Sequence, residues 1–118
     1  MSAIVISQKE NETYKFTFEH RRGRTLLTSQ EHTTKEEVYE TIDYLKNNFS
    51  AVETIRFKTP SGKFYFKTVI EGNTFGTSRR FNTELRFENG IEEVIQNFAS
   101  AEILDFSLDI FGDFPEEE

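Results

Sequence analysis

One spacing constrains this chain more than any other feature: its residue pattern returns to itself after about fifty positions. Tyr14 and Phe16 match Phe64 and Phe66 at an offset of fifty. Thr28-Ser29 matches Thr77-Ser78 at forty-nine, and Ile42, Leu45, Asn48 and Phe49 match Ile91, Val94, Asn97 and Phe98, also at forty-nine. The slip of one falls between Phe66 and Thr77. That interval holds Glu71-Gly72-Asn73, a turn signal where a one-residue deletion costs little. A period of this length is the mark of one supersecondary unit used twice. Two copies cover residues 3–106.

Each copy reads the same way. In "TYKFTFE" (13–19), Tyr14, Phe16 and Phe18 alternate with Lys15, Thr17 and Glu19, which predicts a half-buried strand. Arg21-Arg22-Gly23 turns the chain into a second strand, "RTLLTS". Thr34-Lys35-Glu36-Glu37 has the form of a capping box. The helix it opens carries Val38, Ile42, Leu45 and Phe49 on one stripe. In the second copy "AVETIRFK" leads through Thr59-Pro60-Ser61-Gly62 to "KFYFKTVI". A four-residue loop there pairs Lys58 with Lys63, Phe57 with Phe64, Arg56 with Tyr65 and Ile55 with Phe66. A Gly72-Asn73 turn, the strand "TFGTS" and a helix with Phe87, Ile91, Val94 and Phe98 inward follow. "EILDFSLDI" alternates as a last strand. At the N-terminal strand the repeat points Val5 and Ser7 inward, whereas hydrophobicity points Ile4 and Ile6 inward.

The expected fold is therefore α+β: two tandem β-β-β-α units plus a C-terminal strand in one antiparallel sheet, with both helices packed on one face. Residues 1–112 form a single domain, with repeats at 3–53 and 54–106 and the last strand reaching 110. Residues 113–118 read as an acidic flexible tail.

Thirteen phenylalanines and four tyrosines supply a core for 118 residues without a disulfide or a structural metal. The absence of cysteine removes thiol catalysis and thiolate metal sites, and suits a reducing cytoplasm. No stretch approaches the ~20 apolar residues that span a bilayer, and "MSAIVISQKE" lacks the form of a secretory signal. A net charge of −7 disfavours a phosphate-backbone binder.

The stretch "SGKFYFKTVIEGNTFGTSRRFNTELRFENGIEEVIQNF" resembles the YegP-like family, a small bacterial domain of unknown function. The resemblance rests on Gly62, Phe64, Phe66, Gly72-Asn73, Thr77-Ser78 and Asn89-Gly90-Ile91, and it extends to both units, although Thr41 stands where the first helix would carry its glycine. It implies tandem units that join in one sheet and exchange their last strands. It implies no biochemical activity. Gly90 interrupts an otherwise good helix at a cost of about 1 kcal/mol. A close approach of the helix backbone to a neighbouring element is the expected reason.

Chemical constellations are sparse. His20 and His32 have no second ligand at metal spacing. Ser29 and Ser78 end strands, where a hydroxyl normally satisfies backbone groups. The helix carboxylates fall away from the apolar stripes, and no phosphate-binding glycine loop is present. The least bland group is Arg56, Lys58, Lys63, Tyr65 and Lys67, expected together on the outer face of the second hairpin. Such a face would suit an anion, an acidic peptide or single-stranded nucleic acid. The competing expectation is that Asp105 or Asp109 neutralises it, or that its lysines guard a sheet edge. Arg21, Arg22, Arg24, Arg79 and Arg80 read as solubilising loop charges.

These residues lead to a non-catalytic cytoplasmic interaction module for a protein or small anionic ligand, with no cofactor, metal or membrane requirement. The alternative is a single-stranded nucleic-acid binder using the Tyr65 face. An enzyme comes third, for want of a nucleophile–base pair. A monomer that is its own pseudo-dimer is expected ahead of a homodimer.

Overall fold

The structure, a computed structural model, describes residues 2–20 and 23–107. Its elements are β1 (Ala3–Gln8), β2 (Tyr14–His20), β3 (Arg24–Ser29), α1 (Lys35–Asn47), β4 (Glu53–Lys58), β5 (Phe64–Ile70), β6 (Asn73–Ser78), α2 (Glu84–Asn97) and β7 (Glu102–Asp105), with a 3-10 turn at Phe49–Ala51 after α1. The seven strands form one sheet in the order β4-β5-β6-β3-β2-β1-β7. All neighbours are antiparallel except β1 and β7. The sheet is thus mixed, not purely antiparallel as expected. The reason is that α2 carries the chain from β6 to the far edge of the sheet, where β7 runs antiparallel to β6 but parallel to its neighbour β1, from Ala3↔Glu102 to Ile6↔Asp105. The expected continuation of this strand to Ile110, with Asp109 and the tail, lies outside the described residues.

Both helices cover one face. Val38, Ile42 and Leu45 of α1 and Phe87, Ile91 and Val94 of α2 join Ile4, Ile6, Phe16, Phe18, Leu27 and Phe66 in one core. At β1 hydrophobicity prevails over the repeat, since Ile4 and Ile6 are fully buried against the helices. Val5 pairs with Thr17 on the opposite face. Phe98 is the hub of the core, with ring centroids of Phe49, Phe18, Phe16 and Phe75 at 5.1, 5.7, 6.1 and 6.3 Å. Such pairs add to area burial through edge and offset-face attraction.

Local chemistry sets each boundary. Thr34 caps α1 by accepting the Glu37 amide at 3.2 Å. Glu37 reaches back to the Thr33 amide at 3.0 Å, one residue earlier than a strict capping box would have it. Thr83 caps α2 in the same way through the Arg86 amide. The Ser29 hydroxyl accepts from Phe16 N–H and donates to Gln30 O, and the Ser78 hydroxyl accepts from Phe66 N–H and donates to Arg79 O. Both serines therefore satisfy backbone at the end of a strand. Each half also carries a bulge, in the β2–β3 ladder after Phe18 and in the β5–β6 ladder after Thr68. At these bulges Leu26 and Phe75 join the core.

The halves meet at β3 and β6 through Leu27↔Ser78, Thr28↔Thr77 and Ser29↔Gly76. A Cβ on Gly76 would lie 3.0 Å from Leu27 Cγ and 3.1 Å from Thr68 Oγ1, so the absent side chain makes room for Leu27 across the seam.

Candidate functional site

The hairpin β4–β5 differs from expectation by one residue of register. Lys58 pairs with Phe64, Phe57 with Tyr65, Arg56 with Phe66 and Ile55 with Lys67. Thr59 N–H donates to Lys63 O and Gly62 N–H to Thr59 O, which leaves a three-residue loop, Pro60-Ser61-Gly62. Gly62 at φ +90° supplies the left-handed residue that closes such a loop. A one-residue slip exchanges the faces of a strand. Lys58 therefore does not oppose Lys63, and the five residues do not share a face.

Arg56 and Lys58 lie on the helix side of the edge strand. Arg56 makes a two-pronged contact with Glu88 of α2 at 3.1 and 3.2 Å, and Lys58 Nζ sits 5.6 Å from the Phe64 ring centroid. Asp105 does not neutralise the hairpin, because it is at the opposite end of the sheet, bonded to Tyr39 and paired with Lys35; Asp109 lies outside the described residues. Lys63 stands exposed in the turn.

Tyr65 and Lys67 remain on the face without helices, with different company. Phe57 stacks on Tyr65 at 4.9 Å and 12°. Lys67 Nζ lies 5.5 Å from the Phe57 ring centroid, and the Arg80 guanidinium 5.6 Å from that of Tyr65. Ile55 borders the group, 44% exposed. Two rings are thus held between two cations, and among the described residues neither cation is in an ion pair. Phe57 and Arg80 were not expected here. The register placed Phe57 inward, and Arg80 reads as a loop charge until β6 is paired with β5.

A cleft of about 290 Å³ opens along α2 between Arg86 and Glu93. Arg24 at the start of β3, Arg79 just after β6 and Arg86 in the first turn of α2 converge on it, with Asn89 beside them. Leu26, Phe81 and the backbone of Gly90 form its apolar part. The helix glycine is explained here: a Cβ on Gly90 would lie 2.7 Å from Phe81 Cζ. The Phe81 ring lies against the helix backbone, and the Arg79 guanidinium sits 5.4 Å from that ring's centroid. The first half makes a different contact at the positions forty-nine residues earlier, where His32 Nε2 is 3.0 Å from the Thr41 hydroxyl.

His20 and Glu93 also line the cleft. His20 Nδ1 is 2.9 Å from Glu93 Oε2, and the Ser2 hydroxyl donates to the same oxygen at 2.7 Å. His20 is thus half-buried and engaged, unlike the solvated turn residue it resembles in sequence. Burial pushes the Glu93 carboxyl up, but the Ser2 bond and His20 outweigh it and hold it below the ordinary carboxylate value. Among the described residues no three His, Cys, Asp or Glu side chains gather as a metal ion would need, and no helix is long and apolar enough to cross a membrane.

No family model matches the chain. The UPF0339 protein YegP of Escherichia coli K12 is 29% identical over 102 residues, spanning 85% of this chain and 93% of that protein. A UPF0339 protein of Photorhabdus laumondii is 26% identical over 106 residues, spanning 86% and 91%. The solution structure of a UPF0339 protein from Shewanella oneidensis superposes with a TM-score of 0.80 at 22% identity, covering 95% of this chain and 97% of its own. That of YegP from E. coli, described as a protein of unknown function, gives 0.75 at 24%, covering 90% and 93%. At those identities the two structures speak to the fold, one seven-stranded sheet with two helices. In sequence the chain is similar to YegP and another UPF0339 protein, and it shares the fold of the two solved structures.

Proposed function

We propose that the protein is a non-catalytic cytoplasmic binding module, acting as a monomer, that holds an acidic protein segment on the uncovered face of the β4–β5 hairpin. One observation carries the reading. On a chain of net charge −7, Lys67 and Arg80 are kept against the half-buried Phe57–Tyr65 stack without a carboxylate partner among the described residues. Cations ordered by aromatic faces are positioned to meet carboxylates, and the rings and Ile55 offer apolar contact beside them. Arg56, already paired with Glu88, is not part of this surface.

Two experiments test it. Affinity capture from lysate of the source organism compares the wild type with Lys67→Glu/Arg80→Glu. Fluorescence anisotropy then measures both proteins against a labelled glutamate-rich peptide and against oligo(dT). The reading expects partners enriched by the wild type and lost in the variant, with peptide binding weakened at least ~10-fold and retained at moderate salt. Peptide affinity equal in the two proteins overturns it. Preference for oligo(dT), falling steeply with salt, would favour the nucleic-acid alternative.

A further inference from the structure

We infer that the cleft between α2 and the ends of β2, β3 and β6 is a binding site for a compact oxyanion, a phosphate or the carboxylates of a small metabolite. It is separate from the hairpin face and does not depend on it. Arg24 and, fifty-five residues later in sequence, the neighbouring Arg79 and Arg86 line one concavity. Among the described residues none of the three forms an ion pair, and the acid in the cleft wall, Glu93, is already taken by His20 and Ser2. Three guanidiniums facing one space repel one another, and an anion between them turns that repulsion into attraction.

The chemistry of the wall defines the ligand. Guanidinium is a planar fork that meets two oxygens of a phosphate or carboxylate at once. The amide of Asn89 adds a neutral donor. The Arg79 guanidinium lies over the Phe81 ring, 5.4 Å from its centroid, and Phe81 is seated against Gly90, so a cation–π contact supports this fork before a ligand arrives. The volume, about 290 Å³, is at the small end of the ~300–1,000 Å³ range of small-molecule pockets. It suits a phosphate or a short dicarboxylate.

The chain holds its own comparison. Forty-nine residues before Arg79, Arg86 and Asn89 stand Gln30, Glu37 and Glu40. The first half builds the same strand–turn–helix corner without a basic cluster, so the fold does not require arginines there.

The test titrates 15N-labelled protein with inorganic phosphate and, separately, with succinate, at ionic strength matched by sodium chloride. The proposal expects saturable shifts at the amides of Asn89, Gly90 and Arg79 with at least one of the two, and none with chloride. Arg79→Gln/Arg86→Gln should weaken binding at least ~10-fold while leaving the rest of the spectrum in place, because both side chains are exposed. Lys67→Glu/Arg80→Glu should leave it unchanged. Phosphate and succinate separate the two ligand sources. Shifts that do not saturate, that chloride reproduces, or that survive in Arg79→Gln/Arg86→Gln overturn the site.

Discussion

At the scale of single residues, Phe81 and Gly90 act as one unit, and so do His32 and Thr41. A methyl on Gly90 would sit 2.7 Å from the Phe81 ring, so Gly90→Ala should destabilise by about 1–3 kcal/mol, despite a helix-propensity gain near 1 kcal/mol. The His32–Thr41 contact offers a sharper test. Gly90→Thr alone should be worse than Gly90→Ala, and Phe81→His/Gly90→Thr should recover part of the loss. Urea denaturation of the wild type, Phe81→His, Gly90→Thr and Phe81→His/Gly90→Thr gives the coupling directly. Strict additivity would mean that ring and helix do not constrain each other. The glycine also bears on the cleft, since the ring it accommodates is the one Arg79 stacks on.

At the scale of elements, the turns decide more than the strands. Lys9 N–H donates to Thr13 O and Glu12 N–H to Lys9 O, the arrangement found at Thr59–Lys63. Here Glu12 occupies the left-handed position, at φ +70°, that Gly62 takes in the second hairpin. A side chain in that region costs roughly 1–2 kcal/mol, so Glu12→Gly should stabilise the protein by about 1 kcal/mol, raising the urea midpoint with its slope unchanged. An unchanged midpoint would show that the Asn11–Thr13 hydrogen bonds already offset the strain. The hairpin register departs from the alternation pattern for a related reason. Either loop length leaves alternating patterns on both strands, and the choice rests on Gly62 and the Thr59 hydroxyl, which accepts the Lys63 amide at 2.9 Å.

At the scale of the whole molecule, the sheet is completed by β7, which follows α2 in sequence and lies beside β1 in space. Asp105 fastens it there. Its carboxylate accepts from the Ser107 amide and hydroxyl and from the Tyr39 hydroxyl, and Lys35 lies 3.5 Å away. Burial pushes this carboxyl up, but those donors outweigh it and hold it below its ordinary value of 3.8. A carboxyl lowered on folding adds stability that is complete above its unfolded value and lost as pH falls through the folded one. Stability should therefore drop below about pH 4. Asp105→Asn should flatten part of that drop while costing stability at pH 7, as urea midpoints at pH 7 and pH 3 would show. A pH profile unchanged by the substitution would assign the acid sensitivity to other groups.

Periodicity alone determined much of this protein. The spacing of Val38, Ile42 and Leu45 specifies a helix face, the alternation of Phe16 and Phe18 a strand face, and the cap Thr34 the start of α1, because each depends on neighbours within a few residues. Tertiary structure decided the rest. The parallel docking of β7 and the meeting of Arg24 with Arg79 and Arg86 depend on strand pairing between distant segments, and the division of Arg56 and Lys58 from Tyr65 and Lys67 depends on the closing geometry of the β4–β5 turn, which alternation leaves open. Charges carry no periodicity of their own, so Arg24 joins the neighbouring Arg79 and Arg86 in one cleft only after the β3–β6 seam has formed.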